Sequence, residues 1–247
     1  MKTNESPIQI LDWDSNFFGS KIARIKCDNY TDSVASFIQK FSDENHIEYL
    51  EYLIGSNEIE NIRSAERNGF QFIDIRMTLE LSLNNEPHRN ISNRFEFGLA
   101  NEVHISDLTK IGSGIYKGSR YYSDGFFCEK KVTDFFNLWI EKAVTGKFDD
   151  ECFSLFERGT PIALCTMKSG IKNLSSIGLF GVGAKHQGNG VSKELLFQIS
   201  NAMRERGRSH ISVVTQGKNI AAQRAYQAAG FKTKNVELWF RKILLET

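Results

Sequence analysis

The sequence predicts a mixed α/β protein whose sheet is mostly antiparallel and flanked by helices, preceded by a smaller α/β domain. Three observations carry this. In the C-terminal part of the chain, β-branched and alternating segments trade places with segments whose apolar residues recur at helical spacing. A polar, aperiodic stretch, NNEPHRNISN (84–93), holds one of only three prolines and interrupts the pattern. With 247 residues, 40% of them apolar and 25% charged, the chain has the composition of a globular protein and enough length for a sizeable core. The break places the smaller N-terminal α/β domain at 1–83, a linker at 84–92 and the main domain at 93–247.

Within the main domain each element has its own warrant. RFEFGLA (94–100) reads as a strand and ISDLTKIGSGIY (105–116) as a short helix. Over 123–144, Phe127, Val132, Phe135, Phe136, Trp139, Ile140 and Val144 recur at helical spacing. CFSLFERG and PIALCTMKSG form a hairpin around Gly159-Thr160. SSIGLFGVG (175–183) is the next strand. Val191, Leu195, Leu196, Ile199 and Met203 line one face of a helix over 190–206. The β-branched run HISVVTQ (210–216) is a buried strand. NIAAQRAYQAAG is an alanine-rich helix stopped by Gly230, and VELWFRKIL closes the chain as a strand. The strand–helix–strand unit over 175–216 requires a parallel, right-handed crossover.

A repeat also emerges. Residues 57–81 align with 218–242 when Gly69-Phe70 is laid on Gly230-Phe231. In that register Ile59 meets Ile220, Arg63 meets Arg224, Glu58 stands for Asn219 and Ala65 for Tyr226. Two readings stand side by side: chance similarity, or a first domain that is a degenerate, partial copy of the second.

Several functions are excluded. The net charge of +1 implies no bulk attraction to nucleic acid or membranes. MKTNESPIQI has no apolar signal region and no window reaches the length of a membrane span, so a cytoplasmic protein is expected. Cys27, Cys128, Cys152 and Cys165 form no CxxC pair and read as reduced thiols. The five histidines do not cluster either, and no metal is expected.

The informative stretch is GVGAKHQGNGVSKELL (181–196), a glycine turn between a strand and a helix. Such a turn exposes backbone N–H groups at the positive end of a helix and suits phosphate, although many Gly-x-Gly turns hold nothing. It is no Walker loop, since no Gly-Lys-Ser/Thr follows, and no dinucleotide fingerprint, since the third glycine and the downstream acid are missing. Gln187-Gly188-x-Gly190 after a strand, with Asn219, Tyr226 and Gly230-Phe231 downstream, resembles the GNAT superfamily of acyl-CoA N-acyltransferases. The element order over 93–247 is similar to that fold. The family pattern ends in Gly or Ala where this chain has Ser192, small enough for the turn and able to cap the helix or touch a phosphate.

The resemblance implies acetyl-CoA as acyl donor. It implies that the backbone of Phe180, Gly181 and Val182 bonds the pantetheine arm in a gap between splayed strands. Gln187, Gly188, Asn189, Gly190, Val191 and Ser192 would bind the pyrophosphate, Asn219 would contact the cofactor side, and Tyr226 would be the general acid for the leaving thiolate. Read singly, Asn219 is equally a helix N-cap and Tyr226 a half-buried aromatic. The strand SSIGLFGVG carries no carboxylate, so no general base is legible. The proton is expected to leave through solvent, or the acceptor amine to be largely neutral already. His186 reads as a solvent-exposed histidine near the phosphates rather than as that base.

LDWDSNFFGSKIARI (11–25) and LWIEKAVTGKFDDECF (138–153) are similar to the bacterial dTDP-fucosamine acetyltransferase family of surface-polysaccharide synthesis, in which a smaller domain also precedes a GNAT domain. That likeness implies a small-molecule sugar-nucleotide acceptor, a dTDP-linked 4-amino-4,6-dideoxy sugar, acetylated on its amine. In YKGSRYYSDGFF (116–127), Lys117 and Arg120 would meet the diphosphate and Tyr121 and Tyr122 the base or sugar. The alternative for this segment is a packed aromatic loop with solvated charges. Two alternatives for the whole also stay open: another amine (a protein N-terminus, a polyamine or an antibiotic), or a non-catalytic CoA-binding module. The assembly state is not legible, though homodimers are common in the superfamily.

Overall fold

The computed structural model describes residues 6–84, 88, 90–92, 94–171 and 173–244. In chain order the elements are β1 (Ile8–Ile10), α1 (Asp12–Phe18), β2 (Ile22–Ile25), α2 (Asp32–Glu44), β3 (Tyr49–Gly55), α3 (Ile59–Arg67) and β4 (Gln71–Ser82). Then come β5 (Glu96–Leu99), α4 (Ile105–Ile115), a 3₁₀ turn (Tyr116–Gly118), α5 (Arg120–Asp124), α6 (Glu129–Val144), β6 (Glu151–Glu157), β7 (Thr160–Ser169) and β8 (Leu174–Val182). The chain ends with α7 (Val191–Glu205), β9 (His210–Gln216), α8 (Ile220–Ala228) and β10 (Lys232–Ile243).

The chain divides into two compact units, one comprising 1–76 with 236–247 and the other 77–235. This division differs from the boundary expected at 84–92, of which residues 85–87 and 89 lie outside the described residues. It falls instead inside the two longest strands, β4 and β10, each of which contributes to both units. A polar stretch marks where chain leaves regular structure, but a strand can pass between units without any change of composition.

In the first unit the strands lie in the order β1-β2-β3-β10-β4. β2 and β3 are parallel, while β10 pairs antiparallel with β3 from Glu237↔Gly55 to Ile243↔Tyr49. Tyr52, Ile54, Ile38 and Phe240 pack in its core. Glu51 is buried at 2% exposure and is paired with the Arg24 guanidinium, which also lies over the Trp239 ring; burying the carboxylate unpaired would be costly.

The second unit has the order β10-β4-β9-β8-β7-β6-β5. β6 and β7 form the expected hairpin, β7 and β8 are antiparallel, and β8 and β9 are parallel as the crossover requires. The apolar face foreseen for α7 is buried: Val191, Leu195, Leu196, Ile199 and Met203 pack against β7–β9 residues such as Cys165, Ile177 and Val213. One expected helix is two. The stretch 123–144 is broken at Gly125, whose φ of 75° ends α5 in a left-handed C-cap, and α6 begins only after Cys128.

The repeat has a local structural counterpart. α3 and α8 each span nine residues between two strands. At their ends, Phe70 N–H donates to Ala65 O and Phe231 N–H to Tyr226 O, both at 3.0 Å, around Gly69 (φ 80°) and Gly230 (φ 93°). At their starts, Ile62 N–H donates to Glu58 O and Gln223 N–H to Asn219 O. The loop that follows β2 carries no glycine turn. It is tied to α3, with Asn61 bonding Asp28 and Tyr30 while Ser64 donates to Tyr30 O.

Candidate active site

The site begins with a register fault in β8. Cys165 faces Phe180 and Met167 faces Ile177, so Gly178 and Leu179 stand opposite Thr166 alone. This is a β-bulge, which bends the strand that carries it. Three side chains hold it. Thr166 Oγ1 accepts the Leu179 N–H at 2.7 Å and donates to Asp149 Oδ2, which also accepts the Trp139 indole N–H at 2.7 Å. Asp149 is only 3% exposed, so these donors replace its lost water. Glycine is required at 178 for space: a Cβ there would stand 2.2 Å from Asp149 Oδ2.

Past the bulge, β8 parts from β9. Their pairing runs from Leu174↔His210 to Ile177↔Val213, while the strands continue to Val182 and Gln216. A cavity of about 220 Å³ lies at the parting. Gly178, Leu179 and Phe180 of β8 and Val214, Thr215 and Gln216 of β9 form two of its walls. Asn219, Ala222 and Tyr226 of the α8 segment add a third. Ile115, Tyr116, Gly118 and Ser119, with Phe136 and Trp139 of α6, complete it.

Tyr226 is 4% exposed, with its ring edge-on to Phe180 at 5.7 Å and tilted against Phe231. Burial raises its phenol well above the ordinary value of about 10, and the Cys165 thiol adds to the shift. The group is therefore a protonated phenol at neutral pH, able to donate a proton. Asn219 does cap α8: its Oδ1 accepts the Ala222 N–H at 3.1 Å, and the residue also lines the cavity. The cap reading of Asn219 therefore holds, and the same residue stands on the cavity wall. Phe180 lines the cavity, whereas the Gly181 and Val182 side positions are buried toward the protein.

The turn 187–190 precedes α7, a helix of 15 residues. Gly188 and Gly190 have φ of 78° and 76°, and no atom lies within 4 Å of where a Cβ would stand on either. Glu194 N–H is the first to find a helical acceptor, Gly190 O, which leaves the N–H groups of Val191, Ser192 and Lys193 directed out of the helix start. Gln187, Gly188, Asn189 and Gly190 are exposed. This open, donor-rich turn fits a phosphate group, and the splayed strands fit an extended thiol arm. Two of the six turn residues contribute through backbone only or indirectly. The Val191 side chain is buried in the core, and the Gln187 amide donates back to Val182 O at 3.0 Å, anchoring the turn to β8. His186 is half-buried and faces Glu157 at 3.6 Å, so the expectation of a solvent-exposed histidine beside the phosphates does not hold.

The four residues expected at the acceptor do not line the cavity. Lys117 is exposed. The Arg120 guanidinium covers the Tyr121 ring at 4.2 Å and donates to its Oη. Tyr121 packs on Phe127 and Phe135, and Tyr122 Oη meets Thr133 Oγ1 at 2.6 Å. The lining residues are their neighbours Tyr116, Gly118 and Ser119. Sequence reasoning missed these because two more conspicuous tyrosines stood beside two cations in the same segment. Trp139 and Asp149 lie in LWIEKAVTGKFDDECF, which carries a family likeness but no site role in the sequence reading. They do brace the bulge, but Trp139 also reaches the cavity.

Residues 119–231 match the Acetyltransferase (GNAT) family model. The chain is 24% identical over 238 residues to dTDP-fucosamine acetyltransferase of Escherichia coli O6:H1, covering 94% of this chain and 96% of that one. Among solved structures, a GCN5-related N-acetyltransferase from Sphaerobacter thermophilus superposes with a TM-score of 0.66 at 12% identity, over 96% of this chain and 76% of that one. A tandem GNAT protein from the clavulanic acid biosynthesis pathway does so with a TM-score of 0.61 at 9% identity, over 93% and 77%. No helix among the described residues is long and apolar enough to cross a membrane. The chain carries a GNAT-family acetyltransferase domain and is an acyltransferase whose acyl donor is acetyl-CoA.

Proposed function

We propose that the chain is an N-acetyltransferase acting on the amino group of a nucleotide-activated 4-amino-4,6-dideoxy sugar by direct attack of the amine on the thioester. The observation that carries this reading is the make-up of the cavity. Its lining is aliphatic, aromatic, hydroxyl and amide, with no Lys, Arg, Asp or Glu among the described residues. A polyamine or a charged peptide would bring further ammonium groups that need carboxylates. A sugar ring brings hydroxyls for the polar groups and a C–H face for Phe136 and Trp139. The printed name of the E. coli relative, dTDP-fucosamine acetyltransferase, supports the same acceptor class.

In this reading acetyl-CoA supplies an acetyl group activated as a thioester. The backbone of Phe180, Gly181 and Val182 orients the donor, the N–H groups of 187–192 hold its pyrophosphate, and Asn219 contacts it from the start of α8. Tyr226 holds a proton at Oη for the departing sulfur. A sugar amine loses its proton more readily than a lysine amine, which suits a cavity without a carboxylate. Lys117 and Arg120, next in the chain to the lining residues Gly118 and Ser119, meet the acceptor's diphosphate outside the cavity. Tyr121 and Tyr122 hold that segment in place rather than touching the sugar. The reaction belongs where nucleotide sugars and acetyl-CoA meet, in the cytoplasm.

The test is thiol release from acetyl-CoA with purified protein and a panel of amines. Release with dTDP-4-amino-4,6-dideoxygalactose well above polyamine, peptide and aminoglycoside amines is expected. Release with one of those instead would overturn the acceptor assignment. Donor binding without release on any amine would mean a binding module.

A further inference from the structure

The cavity contains two hydroxyls without partners. Tyr116 Oη and Ser119 Oγ are both buried from solvent, and neither has a hydrogen-bond partner among the described residues. Ser119 as a whole is only 6% exposed. Buried hydroxyls are ordinarily paired, so two orphans lining one cavity call for a ligand that satisfies them.

Their positions are fixed. The Tyr116 ring stacks on Phe136 with centroids 4.4 Å apart and planes at 17°. Gly112, one turn earlier, leaves room for the ring and for Ile140: a Cβ there would stand 3.4 Å from Tyr116 Cε2 and 2.5 Å from Ile140 Cδ1. Ser119 starts α5 without using its side chain as a cap, so its hydroxyl remains available. Tyr116 and Tyr226 line the same small cavity, and burial keeps the Tyr116 phenol protonated. Whatever Tyr116 binds therefore sits beside the reacting centre.

The two hydroxyls come from the segment after α4, not from β8, β9 or the turn that hold the donor. A hydroxyl both donates and accepts, so a neutral hydroxyl of the acceptor can satisfy either of them without bringing a charge into the cavity. We propose that Tyr116 and Ser119 are specificity residues that select an acceptor bearing a hydroxyl on the carbon next to its amine. The inference rests on the acyltransfer reading given above and deepens it: it says which acceptor feature is read and by which side chains.

The experiment compares matched acceptors in wild type, Tyr116→Phe and Ser119→Ala. One pair is dTDP-4-amino-4,6-dideoxygalactose and its 3-deoxy analogue; the other is cis-2-aminocyclohexanol, which shares the galacto arrangement of amine and hydroxyl, and cyclohexylamine. Wild type should prefer the hydroxyl-bearing member by about 10- to 100-fold in kcat/KM. Tyr116→Phe keeps the stacked ring and should reduce that preference to within about threefold, with acetyl-CoA affinity by calorimetry unchanged. Ser119→Ala should reduce it in the same direction. An undiminished preference in both variants overturns the proposal. So does weakened acetyl-CoA binding with equal losses on both members, which would assign the hydroxyls to the donor. Failure of the sugar nucleotide alone, with aminocyclohexanol still preferred, overturns the nucleotide-sugar reading and leaves this one standing. No turnover of any hydroxyl-bearing amine overturns both.

Discussion

At the residue scale, the proposed chemistry depends on one phenol kept protonated. Tyr226 sits between Phe180 and Phe231, and burial is the main cause of its raised pKa. The consequence has a definite sign. In the proposed mechanism the acid form is the active one, and raising its pKa extends that form to higher pH. Activity should rise with pH as the acceptor amine becomes neutral and then stay level to at least about pH 10, the ordinary tyrosine value. A fall with a midpoint near 8 or 9 in kcat, measured with protein that remains folded, would contradict Tyr226 as the acid. Asn219 shows why single residues were ambiguous in sequence. Its cap bond to Ala222 and its place on the cavity wall are both real, and neither excludes the other.

At the element scale, the cavity exists because β8 carries one residue too many opposite Thr166. The bulge takes β8 out of register with β9, and the Asp149–Thr166–Trp139 network holds it there. Gly178→Ala should test this directly, since its Cβ would collide with the Asp149 carboxylate. Overpacking of this kind costs roughly 1–3 kcal/mol, to be read from urea unfolding, and acetyl-CoA affinity should fall with it. A variant of wild-type stability and affinity would show that the bulge is not held through Asp149. Periodicity gave these elements their type: α7, β9 and α8 follow from their apolar faces and their glycine stops. It could not give the bulge, because SSIGLFGVG reads as an unbroken strand until its partner's register is known. Nor could it tell which members of YKGSRYYSDGFF face inward. That choice is set by Tyr116 stacking on Phe136 and by Tyr121 and Tyr122 engaging α6 residues.

At the scale of the whole molecule, the division at 76/77 and 235/236 shows how the chain hides its organisation. The polar stretch at 84–93 is the visible break, yet the units meet the chain inside β4 and β10, where composition does not change. The matching helix ends are more legible, because they are written locally: Phe70 and Phe231, each after a glycine, make matching bonds back to Ala65 and Tyr226. The aligned segment of the first unit has alanine where the second has its tyrosine, and the loop after β2 is tied to α3 where the second unit has the glycine turn. The proposed function places the reacting centre in the cavity where β8 and β9 part and Tyr226 is buried. The most direct measurement of that claim is Tyr226→Phe, with acetyl-CoA binding followed by calorimetry beside steady-state turnover on the preferred amine. The account predicts binding within about threefold of wild type and kcat lower by on the order of 100-fold. Unchanged turnover with intact binding would contradict it.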